Sequence, residues 1–168
     1  MPPPRLKEPL QIAYIGRLAA VKGIREFLAA TSMAHDEGAL GQFSFHVVGD
    51  GDDLELAEIR KRGWIDYHGA IANDAVETFL AKTDVSVGLT FVASKAGELG
   101  GSGLSNAMLE QAASGRVMLC WDNAMYRQLL DERSCYFVPQ GSTSELWRAL
   151  KDIAADTAEA KARVSEAC

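Results

Sequence analysis

Gly100-Gly101-Ser102-Gly103-Leu104-Ser105-Asn106-Ala107-Met108-Leu109-Glu110, followed by Ala112-Ala113-Ser114-Gly115, decides how this chain is read. Glycines and small polar residues lead into a mostly apolar segment, 104–114, of helical character, and Gly115 stops it. A Gly-rich loop that ends at a helix start exposes unpaired backbone N–H groups and the positive end of the helix dipole. Such a place attracts anions, phosphate above all. Gly103 and Glu110 are seven positions apart. At ~100° per residue they share one face, roughly 10 Å apart. That separation suits a ligand with a phosphate at one end and a hydroxylated group further along.

Outward from this stretch, short apolar runs alternate with helix-like segments. The pattern predicts strands over 11–15, 43–48, 65–68, 84–89, 117–120 and 135–138. Helices are predicted over 24–34, 54–61, 74–82, 104–114, 125–130 and 144–155, with Asn73 capping the third and Ser142 or Thr143 the last. The 54–61 helix is charged and reads as solvent-facing. Strands separated by helices of about ten residues imply parallel β-α units. The predicted fold is α/β: a Rossmann-like, doubly wound parallel sheet of about six strands. Such sheets bind ligands beyond the strand C-terminal ends, where the strand order reverses. The loops with chemical content all follow strands: Gly16-Arg17-Leu18, Gly49-Asp50-Gly51, Gly69-Ala70-Ile71 and 91–103.

With 168 residues, the chain suffices for one packed domain. Residues 11–155 read as that domain, 1–10 as a linker remnant, and 156–168 as a C-terminal helix or tail. No apolar run reaches the ~18 residues of a membrane span, and Met1-Pro2-Pro3-Pro4-Arg5 is unlike a signal peptide. A net charge of −6 argues against nucleic acid as a partner. Cys120, Cys135 and Cys168 are too few for a disulfide framework or a zinc site, and fit a reducing cytoplasm. No metal is expected.

Arg17 and Lys22 share the first strand-to-helix loop. Arginine offers a rigid fork to phosphate oxygens and lysine a mobile charge. Together they would neutralise a pyrophosphate and stabilise it as a leaving group. Gly49-Asp50-Gly51 lacks the third glycine of a dinucleotide fingerprint and is followed by Asp52 and Asp53, so it reads as a tight turn. Glu110, on an apolar helix, needs partners. A ribose diol would supply them, and so would a salt bridge to Arg116 or Arg127. Glu98 is the one further acid of the Gly-rich loop. His46 reads as a packed or rim residue, and His68 as a residue near which a base can stack. Cys120 reads as a small buried hydrophobe.

In order along the chain stand Gly16-Arg17-Leu18, Lys22-Gly23, Val48-Gly49-Asp50-Gly51, His68-Gly69, Asp84-Val85-Ser86-Val87, Gly103-Leu104-Ser105-Asn106 through Glu110, and Ala113-Ser114-Gly115. This series resembles the C-terminal, donor-binding domain of retaining GT-B glycosyltransferases of the family 4 (group 1) type. The resemblance covers about 11–155. It implies that Arg17 and Lys22 act in catalysis by holding the donor diphosphate. It implies that Gly103, Leu104 and Ser105 present backbone to phosphate, and that Glu110 takes the ribose hydroxyls. Gly16 and Gly69 become substrate-binding positions, with the loop after Gly69 facing the base. The family often has two glutamates with seven residues between them; Glu110 matches the second, and Ser102 stands at the first. Glu98 is the candidate to replace it at the donor sugar.

The implied activity is transfer of a hexose from a UDP-sugar or GDP-sugar to a glycan or lipid-linked acceptor. The acceptor would be held by an N-terminal domain not in this sequence, so that the chain is a fragment that is inactive alone. Polysaccharide biosynthesis in the cytoplasm, or peripherally at the inner membrane, is the implied setting. Two alternatives stand beside this reading. A non-catalytic sugar-nucleotide-binding module or GT-B-like epimerase would explain Ser102. A nicotinamide-binding Rossmann domain is disfavoured, because no G-x-G-x-x-G follows the first strand.

Overall fold

The computed structural model describes residues 9–92 and 106–155. Six parallel strands form one sheet in the order β3-β2-β1-β4-β5-β6. They are β1 (Leu10–Ile15), β2 (Phe43–Val48), β3 (Ile65–Gly69), β4 (Val85–Gly88), β5 (Val117–Asp122) and β6 (Cys135–Pro139). The helices are α1 (Ile24–Asp36), α2 (Asp53–Arg60), α3 (Asn73–Leu80), α4 (Asn106–Ala113), α5 (Ala124–Arg127) and α6 (Thr143–Ala155). The order reverses between β1 and β4, which is where a doubly wound sheet opens its ligand crevice.

The two faces of the sheet differ in chemistry. Alternate strand residues point to opposite faces. Tyr14, Phe43 and Phe45 point toward α1 and α6: the Phe27 ring lies 5.7 Å from Tyr14 and 6.1 Å from Phe45, and Trp147 lies 5.2 Å from Phe43. The opposite face, toward α3 and α4, carries polar residues. There His46 meets Phe79 of α3, and Ser86 bonds Gln111 of α4. Both Ser86 and Gln111 are buried.

Several element boundaries differ from expectation. Asp84 is not a strand residue; its carboxylate accepts from the Gln11 N–H at 2.8 Å and so closes the end of the β1–β4 pairing. Asn73 does not cap α3. It is the first helical residue, and Ala72 stands at the cap with no side-chain bond. Helix α5 is a single turn started by Asn123, whose side chain accepts from the Tyr126 N–H. Ser142 is the cap of α6: its hydroxyl accepts from Glu145 N–H at 3.2 Å. Helix α2 is not solvent-facing throughout, since Glu55 turns inward, 5% exposed, and meets Arg25 at 3.4 Å. Cys120 is fully buried in β5, and burial raises its thiol pKa. Among the described residues no helix is long and apolar enough to cross a membrane.

Candidate functional site

The strand-end loops continue the lacing of the sheet. Gly16 N–H donates to Val48 O at 2.9 Å, Gly49 N–H to Gly69 O at 2.9 Å, and Leu18 N–H to Asp50 O at 2.9 Å. Gly49 has φ +149°, and a methyl group there would overlap the Gly16 carbonyl oxygen. Only glycine lets these two loops approach so closely. The Tyr67 hydroxyl donates to Gly49 O at 2.7 Å and holds the turn from the side. The acids after Gly49 are spent locally: Asp50 accepts from Gly51 N–H, and Asp52 caps α2.

These loops floor a cleft of about 380 Å³ beyond the strand ends. Ile15, Gly16, Val48 and Gly49 form the floor, Ala70 and Ile71 one wall, and Leu109 and Glu110 the other. Glu110 is exposed into this space. Neither salt bridge proposed for it forms. Arg127 is bound to Asp122 at 2.8 Å and Glu132 at 3.6 Å, and Arg116 donates to Ala81 O at 2.9 Å. The apolar composition of α4 suggests burial at Glu110, but on this helix Met108 and Gln111 turn inward while Leu109 and Glu110 are exposed along the cleft.

Arg17 and Lys22 stand in the loop that leaves β1. The Tyr14 hydroxyl donates to Arg17 O at 2.6 Å, which fixes the turn and leaves the guanidinium exposed. Lys22 ends a short turn of helix and is followed by Gly23, φ +79°, against the backbone of Leu89. Phe91 N–H donates to Val21 O at 2.8 Å, tying this loop to the segment after β4. Among the described residues neither cation has an ion-pair partner. Neither lines the cleft itself, nor does Gly69, although Ala70 beside it does. Glu98, Ser102, Gly103, Leu104 and Ser105 lie outside the described residues.

His68 does not line the cleft. Its ring turns to His46, with Nε2 2.9 Å from His46 Nδ1, and to Phe79 at 5.1 Å. His46 is a half-buried rim residue, bonded through Nε2 to Gln11 Oε1 at 2.6 Å. Sequence reading missed Gln111, Ser86 and Gln140. Gln111 leaves a signal, since it is polar three positions after Met108, where the apolar period of the helix points inward; Ser86 leaves none, since alternation in Val85-Ser86-Val87 puts it opposite the apolar pair. A larger hollow of about 660 Å³ lies between α4 and the α5–β6 connection, away from the strand ends. Its arginines, Arg127 and Arg133, are already ion-paired.

The family described as Glycosyl transferases group 1 matches residues 9–156. No curated protein matches the chain. Solved structures share the fold at low identity. Anabaena HepE in complex with UDP-glucose superposes with a TM-score of 0.78 at 14% identity, over 96% of this chain and 43% of that one. The C-terminal domain of the Francisella tularensis group 1 glycosyl transferase LpcC gives 0.75 at 18%, over 96% and 84%. The catalytic domain of the Helicobacter pylori cholesterol-α-glucosyltransferase gives 0.73 at 19%, over 95% and 94%. The chain thus spans less than half the length of HepE. Matched over nearly its whole length and built on the same parallel sheet, the chain belongs to the group 1 glycosyltransferases and carries their Rossmann-like GT-B half-fold.

Proposed function

We propose that this chain binds the nucleotide diphosphate sugar donor of a retaining glycosyltransferase, which passes a hexose to a glycan or lipid-linked acceptor held by a second domain. The observation that carries this reading is the cleft beyond the ends of β1 and β2, beside the strand-order reversal, with Glu110 open on one wall and, in the loop leaving β1, two cations that have no ion-pair partner among the described residues. The base lies against Ala70 and Ile71. Ribose hydroxyls donate to the Glu110 carboxylate, an acceptor with two oxygens in bidentate reach of a diol. The diphosphate runs toward Arg17 and Lys22. When the bond from the anomeric carbon to the diphosphate breaks, the electron pair leaves with the diphosphate. The added charge is stabilised by these cations, whose loop backbone is fixed by the Tyr14 and Phe91 bonds. Gly103, Leu104 and Ser105 offer backbone to the diphosphate, and sugar recognition falls to Glu98 in place of the glutamate that Ser102 replaces.

UDP is the first nucleotide to test, because HepE is complexed with UDP-glucose; GDP is the second. Isothermal titration of the chain with UDP, GDP and NADH should give binding by a nucleoside diphosphate and none by NADH. Glu110→Ala and Arg17→Ala should each weaken it at least tenfold, as loss of a charge-assisted bond implies. Unchanged affinity in both variants would overturn the reading. Ser102, at the position where the family often has glutamate, favours a second reading: a module that binds donor without turning it over. Donor hydrolysis or transfer by the chain joined to an acceptor domain decides between them.

A further inference from the structure

We propose that Gln111 is a positioning residue for donor binding: it locks α4 to the floor of the cleft and thereby sets where the Glu110 carboxylate stands. This rests on Glu110 being the ribose acceptor. Gln111 follows Glu110 on α4, turned ~100° round the helix, and is 3% exposed where Glu110 is open. Its carboxamide is engaged at both ends. Ser86, fully buried in the middle of β4, donates its hydroxyl proton to Gln111 Oε1. Gln111 Nε2 donates to Ile15 O at 3.4 Å. Ile15 is the last residue of β1 and part of the cleft floor that Glu110 faces. One side chain therefore joins the helix bearing the carboxylate to the two strands between which the sheet order reverses.

Packing alone does not call for this arrangement. A leucine at 111 and an alanine at 86 would fill an apolar layer without burying polar atoms. Buried amide and hydroxyl groups are tolerated only when bonded to each other, and they are bonded in one orientation. An apolar contact lets a helix turn or slide by fractions of an ångström. A carboxamide held at both ends does not. A carboxylate that must meet two hydroxyls of a bound sugar is sensitive to displacements of that size.

The test compares binding of UDP with binding of 2′,3′-dideoxy-UDP by the full chain, alongside thermal unfolding. The wild type is expected to prefer UDP, and Glu110→Ala to lose that preference. Gln111→Leu is expected to lower the preference roughly tenfold, as a displaced charged hydrogen bond would. It is also expected to lower the melting temperature, because Ser86 is left unpaired. The double variant Ser86→Ala/Gln111→Leu removes both polar groups. It is expected to regain the melting temperature but not the preference. A structural role alone would move the two together, so a preference that returns with stability overturns the proposal. So does a wild-type preference in either variant that lacks the carboxamide. Should Gln111→Leu not fold, the double variant decides the matter by itself. A wild type that does not distinguish the two nucleotides overturns the ribose reading, and this proposal with it.

Discussion

The carboxamide of Gln140 pairs with both backbone groups of Val92, accepting from its N–H at 3.0 Å and donating to its carbonyl at 3.0 Å. It meets the chain as a neighbouring strand would, although it comes from the turn between β6 and α6. Asn123 braces it, donating from Nδ2 to Gln140 Oε1 at 2.9 Å and to Thr90 O at 3.1 Å. Tyr126 accepts from Thr90 N–H at 2.9 Å. Three side chains from two later elements thus set the path of the chain as it leaves β4.

Removal of this clamp should be measurable. Gln140→Ala deletes three hydrogen bonds at an exposed site, two to Val92 and one from Asn123, each at the low end of about 0.5–1.5 kcal/mol net. A loss of about 1–2 kcal/mol in urea unfolding is expected. A loss within ~0.3 kcal/mol of zero would mean that water replaces the carboxamide without penalty.

The Gly49–Gly16 approach gives a sharper contrast. Gly49→Ala places a methyl group on the Gly16 carbonyl at a φ that alanine resists. The expected cost exceeds about 3 kcal/mol, with loss of UDP binding as the floor opens. Gly41→Ala is the control, since a methyl group there meets open space. Equal melting temperatures for the two variants would refute the close approach.

The cations should act on ligand and not on stability. Arg17→Ala and Lys22→Ala each remove a charge with no ion-pair partner among the described residues, so unfolding should move by less than ~0.5 kcal/mol. UDP affinity should fall tenfold or more in each, and its salt dependence should flatten. A large stability loss with unchanged affinity would place them in the fold and not at the diphosphate.

The His46–His68 pair predicts a pH dependence. Burial holds His46 below its ordinary pKa; the facing His68 pushes the same way, and Asp66 opposes. Between that lowered value and the ordinary ~6.5, the unfolded chain binds more protons than the folded one. This contribution to stability is complete above about pH 6.5 and is lost as the pH falls through the lowered value. The melting temperature should therefore drop from about pH 7 to pH 5 in the wild type, and less steeply in His46→Gln. The Arg127 and Arg133 bonds to Asp122 and Asp131, and Lys61 on Glu58, lower those carboxyl pKa values further. Their losses come below about pH 4.5, outside this window. Parallel curves for the two proteins would exclude His46 as the source.

Much of this protein was already determined by its sequence. Apolar runs such as 43–48 and 117–120, set among helices of about ten residues, dictate parallel β-α units because period and length are local properties. Gly16, Gly49 and Gly69 at strand ends, with Arg17 and Lys22 beside the first, mark the end of the sheet that carries the chemistry. What is absent from the sequence is distance. Glu110 reads equally as a salt-bridge partner or a ribose acceptor until the helix is turned against the sheet. Only then do Arg116 and Arg127 prove to be engaged elsewhere. His68 stands beside Gly69 in sequence, yet its ring faces His46 across the β2–β3 pair, because neighbouring strand residues point to opposite faces. Gln140 and Val92, 48 residues apart, meet only once β6 has been laid beside β5. Periodicity is written along the chain. The direction in which a polar side chain points, and what it meets there, is set by packing between segments far apart in it.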